Sequence, residues 1–85
     1  MKSIWTATYE NNTIKITNTW FSGEQLYVNE VLQDKKFGAI SSNLTGHIMN
    51  SKNEKELIKA TIFGWYKAEC ILFINDKEVA IKQEK

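Results

Sequence analysis

A period of two runs through most of the chain, and no other feature restricts its fold as much. Over residues 4–10, Trp5, Ala7 and Tyr9 alternate with Thr6 and Thr8; over residues 13–19, Ile14 and Ile16 alternate with Lys15 and Thr17. Successive side chains of an extended strand point to opposite faces, so this pattern gives each segment one apolar and one polar side. No segment sustains the i, i+3, i+4 spacing of an amphipathic helix. The best helical stretch, residues 51–59, is polar and too short to stand alone.

The breaks in the alternation place the turns. Asn11-Asn12, Asn29-Glu30 and Asn75-Asp76 each separate two alternating runs, and asparagine tolerates the positive φ of a two-residue hairpin turn. Trp20-Phe21-Ser22-Gly23 ends the second strand, and residues 25–29 form the third. A fourth begins at Val31, and Lys35 to Ala39 reads as a loop. Residues 40–48 form a fifth strand with Ile40, Leu44 and Ile48 in phase, and Met49 to Glu56 is a polar loop. Residues 57–63, 66–74 and 77–82 supply the remaining strands. Seven or eight short strands joined by tight hairpins predict an all-β fold, a small antiparallel β-sandwich or flattened barrel, with residues 1–85 as a single domain.

Such a domain buries only about 60–65% of the surface its unfolded chain exposes, so its ten aromatic residues matter to its core. All eleven positive residues are lysine, and they nearly balance ten carboxylates. The near-zero net charge and the lack of arginine, the residue suited to bidentate reading of bases and phosphates, disfavour nucleic acid as partner. One cysteine permits no internal disulfide. No apolar signal segment opens the chain and no run is long enough to span a membrane, so a cytoplasmic location and no membrane partner are the expectation.

Side chains able to do chemistry are few. Cys70 lies in phase with Ala68, Leu72 and Ile74, the place of a small buried hydrophobe more than of a nucleophile. His47 is out of phase with Leu44 and Ile48 and should face solvent. One histidine and one cysteine make no metal-ligand spacing. Glu10, Glu24, Glu30, Asp34, Glu69 and Asp76 are expected at turns or on faces away from the core, and the four glycines form no phosphate-binding motif. The chain is therefore expected to be a non-enzymatic protein-binding or interaction module, without cofactor, metal site or catalytic residue. An enzyme using Glu69 or His47 is the least supported alternative.

Two strand-leading aromatic pairs, Trp20-Phe21 and Trp65-Tyr66, echo each other: each precedes a strand that closes in an asparagine-led hairpin. They either plug the open ends of a sandwich or form a binding surface, and with the Lys35-Lys36-Phe37 loop they are the candidate binding residues. Edge-strand pairing could make the domain a dimer. The alternative is a small-ligand or nucleotide-sequestering protein, with a pocket lined by Trp5, Tyr9, Tyr27 and Phe73.

Trp5-Thr-Ala-Thr-Tyr9, the Ser22-Gly23-Glu24 step and the Leu26-Tyr27-Val28-Asn29 and Leu72-Phe73-Ile74-Asn75 hairpins resemble the strand order of the Fas apoptotic inhibitory molecule family. Asn29-Glu30 and Asn75-Asp76 stand where that family has Asp-Gly turns. The resemblance spans most of residues 4–80 and implies a compact, non-enzymatic antiparallel β-sandwich.

Overall fold

The computed structural model describes residues 2–19, 23–37, 42–64 and 67–85. Nine strands follow in chain order: β1 (Lys2–Tyr9), β2 (Asn12–Thr19), β3 (Gly23–Val28), β4 (Val31–Lys36), β5 (Ser42–Met49), β6 (Lys55–Phe63), β7 (Glu69–Ile74), β8 (Lys77–Val79) and β9 (Lys82–Gln83). They form two antiparallel sheets, a five-stranded one ordered β4-β3-β2-β1-β9 and a four-stranded one ordered β5-β6-β7-β8. The all-β expectation holds.

Alternation sorts the side chains between the sheets and water. Trp5, Ala7, Ile14, Ile16, Leu26 and Val28 of the larger sheet meet Leu44, Ile48, Ile58, Ala60, Ile62, Leu72 and Ile74 of the smaller one in a single buried cluster. Cys70 packs against this cluster, and burial pushes its thiol up to about 12, so it carries very little thiolate at neutral pH. His47 and Glu69 are exposed, as read from phase.

The hairpins at Asn29-Glu30 and Asn75-Asp76 have positive φ at both central residues, as a type I′ turn requires. The first hairpin turns one residue earlier than expected, at Glu10-Asn11, with Asn12 already paired to Tyr9. That register sets Trp5 opposite Ile16 and Ala7 opposite Ile14. A turn centred on Asn11-Asn12 would set Trp5 against Asn18 instead, so cross-strand apolar pairing selects the turn.

Three further expectations are corrected. Lys35 and Lys36 belong to β4, paired with Gln25 and Glu24, because an edge strand accommodates lysines whose heads reach water. The last strand splits at Ala80-Ile81: β8 stays on the smaller sheet, and β9 crosses to β1 of the larger. Glu24 lies in phase with Leu26 and is buried, not turned away from the core.

The opposite side of the sandwich, where β5 lies against β3 and β4, is closed by side chains. A bulge in β4 falls at Gln33: Tyr27 pairs with Leu32 and Leu26 with Asp34, which leaves Gln33 as the extra residue. Gln33 Oε1 accepts the His47 N–H at 2.7 Å, and Asp34 Oδ2 accepts the Thr45 N–H at 2.8 Å. Two donors on the edge of β5 are thereby satisfied without a neighbouring strand.

A polar clasp ties the hairpin tips of the two sheets. Glu56, only 8% exposed, accepts from the Tyr9 hydroxyl at 3.1 Å and from Asn50 Nδ2 at 2.6 Å. Asn12 Nδ2 donates to the Met49 carbonyl, and the Ser51 N–H donates to Glu10. The hydrogen bond to Glu56, with smaller contributions from burial and from the charges of Glu56 and Glu10, raises the Tyr9 pKa above 10.0. The folded state therefore holds this proton more tightly than the unfolded chain. The stability this contributes is fully present below about pH 10 and is lost as pH rises through the folded value. A Tyr9→Phe variant should lack this component, so the difference in urea midpoint between wild type and variant should change between pH 8 and pH 11. A constant difference would contradict the assignment.

Candidate functional site

Of the five large hydrophobic residues exposed among those described, three lie on β4 or directly after it: Val31 (63% exposed), Leu32 (46%) and Phe37 (70%). Val31 pairs with core-facing Val28 and so lies at the edge of the inner face, whereas Leu32 and Phe37 belong to the outer face of the five-stranded sheet, which the strand registers divide into rows. One row runs Lys82, Thr6, Lys15, Tyr27, Leu32 across all five strands. The next runs Ile4, Thr17, Gln25, Lys35. With strands about 4.8 Å apart, the stretch from β1 to β4 is about 14 Å wide.

Local contacts order this surface. Lys15 Nζ sits 4.9 Å from the centre of the Tyr27 ring, and Lys35 Nζ 5.3 Å from that of Phe37. Each ammonium rests against the negative face of a π-system, which holds two otherwise flexible cations in place. The hydroxyls of Tyr27 and Thr17 both donate to Gln25 Oε1, at 2.9 and 3.3 Å. Phe37 lies over Gly23, whose φ is +73°; a Cβ there would stand 2.8 Å from Phe37 Cδ1. Gly23 thus lets the ring come down on the strand.

Beside Lys15, a groove of about 390 Å³ is lined by Thr6, Thr13, Lys15, Asn29 and Glu30. Thr6 Oγ1 donates to Glu84 at 2.9 Å, and the Glu84 N–H donates to the Ile4 carbonyl, which sets one carboxylate at the β9 end of the two rows.

The sequence-derived candidates fare unequally. Lys35 and Phe37 join the surface and are brought together as a cation–π pair. Lys36 is exposed beside them, paired with Glu24 in the ladder. Trp20, Phe21, Trp65 and Tyr66 lie outside the described residues. The pocket expected from Trp5, Tyr9, Tyr27 and Phe73 does not form. Trp5 is 2% exposed and Tyr9 packs against the core, whereas Tyr27 lies over the outer face of one sheet. Phe73 pairs with Lys59 and Glu78, away from the core of the other sheet. Sequence reasoning missed Lys15, Tyr27 and Leu32 as one row. The signal available was the apolar and aromatic character of positions out of phase with the core.

Among the described residues, no three His, Cys, Asp or Glu side chains gather as a metal site needs, and no helix is long and apolar enough to cross a membrane. Comparison of the chain with protein-family models, curated proteins and solved structures finds no match.

Proposed function

We propose that this domain is a non-enzymatic interaction module that binds a protein partner through the outer face of its five-stranded sheet. The observation that carries this reading is the exposed apolar surface of Leu32 and Phe37 on this face, beside two lysines held over aromatic rings. Aromatic anchors surrounded by polar groups are what protein interfaces use, and a ring already held in place loses little freedom on binding. A non-enzymatic role agrees with the resemblance to the Fas apoptotic inhibitory molecule sandwiches. Self-association through β5 is disfavoured, because a second strand would compete with the Gln33 and Asp34 bonds.

A photo-cross-linking residue in place of Phe37 should capture a partner in the cells that make the protein. The same probe in place of Phe73, on the opposite sheet, should not. Equal capture from both positions, or capture from Phe73 alone, would overturn the reading. A second reading, a small-ligand binder, rests on the groove beside Lys15, whose volume falls within the range of small-molecule sites. It expects protection of Thr13 and Asn29 amides by a small metabolite, not capture of a macromolecule.

A further inference from the structure

We infer that the partner segment at this surface is acidic, a peptide carrying carboxylates beside apolar anchors. The inference rests on the outer-face reading above and adds the chemistry of what binds there. Lys82, Lys15 and Lys35 stand in the two rows; the one carboxylate there, Glu84 beside Ile4, accepts from the Thr6 hydroxyl at the β9 end, away from Lys35 and Tyr27. Neither Lys15 nor Lys35 has a carboxylate partner among the described residues; their close contacts are the rings of Tyr27 and Phe37.

A ring orients an ammonium without neutralising it. Both cations are therefore held ready at fixed places and still lack a counter-charge. An incoming carboxylate would complete a carboxylate–ammonium–ring stack, while Leu32 and the open flank of Phe37 receive apolar side chains.

Nucleic acid would supply anions too, but its usual grip on such a sheet is base stacking on aromatic faces. Here an ammonium lies within 5.3 Å of each ring centre and occupies one face of each ring, which leaves a base less aromatic surface to stack on. The chain also lacks the arginine forks that hold phosphates bidentately. Carboxylates beside apolar groups fit the surface better.

Three probes test this by titration into isotope-labelled protein: a peptide alternating Asp or Glu with Leu and Phe, the same peptide with Asn and Gln in place of the acids, and oligo-dT. The acidic peptide should shift the amides of Gln25, Tyr27, Leu32 and Lys35. It should bind more than about tenfold tighter than the amide peptide and weaken as salt rises. Lys15→Glu with Lys35→Glu should abolish the preference, and both positions are exposed, so the fold should persist. Equal binding of the two peptides, an unchanged preference in the double variant, or tighter binding of oligo-dT would each overturn the inference. The two readings fail separately. Capture by the position-37 probe without preference for the acidic peptide removes the acidity alone, whereas acid-dependent shifts confined to the other sheet remove the surface.

Discussion

Replacing Leu26 with alanine is expected to cost about 2–5 kcal/mol of folding free energy. Leu26 is fully buried at the centre of β3, and Cδ2 lies 3.0 Å from where a side chain on Gly46 of β5 would begin, so it fills space between the two sheets. Truncation leaves a cavity that strands paired on either side cannot close. A domain of this length has only about 4–13 kcal/mol to lose, so the variant should unfold at much lower urea or not fold at all. Leu32→Ala, on the adjacent strand but half-exposed, should change stability by less than about 0.5 kcal/mol. Comparable losses for the two variants would mean that the faces of β3 and β4 are assigned wrongly.

Gly46→Val is expected to destabilise the fold by about 1–3 kcal/mol, although valine suits a strand far better than glycine. In an open strand, replacing glycine should gain up to about 1 kcal/mol. At Gly46 an added Cβ would overlap Gln33 Oε1 and press on Leu26. It would thus expel the side chain that accepts the His47 N–H and leave that donor without its partner. The sign of the effect is diagnostic, and an unfolding midpoint that rises would show that Gln33 does not enter the seam. Amide exchange at His47 should quicken in the same variant, with little change at Thr45, whose acceptor is Asp34.

These two positions show what a single sequence reveals and where it stops. Ile14 and Leu72 were legible because period-two alternation assigns a face from neighbours along the chain; the run Leu26-Tyr27-Val28 is apolar throughout, and only its pairing with β2 turns Leu26 inward. Two hairpins were legible because asparagine-led pairs tolerate positive φ. The first hairpin slipped by one residue because Glu10-Asn11 and Asn11-Asn12 carry the same local signal; the pairing of Trp5 with Ile16 decides between them across strands. Gly46 was equally hard to read. Its reason is a side chain from another sheet, delivered by a bulge at Gln33 that leaves no mark in the alternation. The split of the last strand is hidden likewise, since β8 and β9 look the same whether they extend one sheet or join two.

The candidate site follows the same division. Lys35 and Phe37 stood out locally as a basic-aromatic pair. Lys15 and Tyr27 lie 12 residues apart, and only the β2–β3 register, which sets them opposite each other, makes them part of one surface.

Urea unfolding of the combined variant Tyr27→Ala, Lys35→Ala and Phe37→Ala, followed by far-ultraviolet circular dichroism, tests most directly whether this outer face is held for a partner and not for the fold. Cross-strand and cation–π contacts of half-exposed side chains are each worth well under about 1 kcal/mol. The three changes together should therefore cost no more than about 1.5 kcal/mol, less than Leu26→Ala alone. A loss above about 3 kcal/mol would show that these side chains serve the interior, and the binding surface assigned to them would fall.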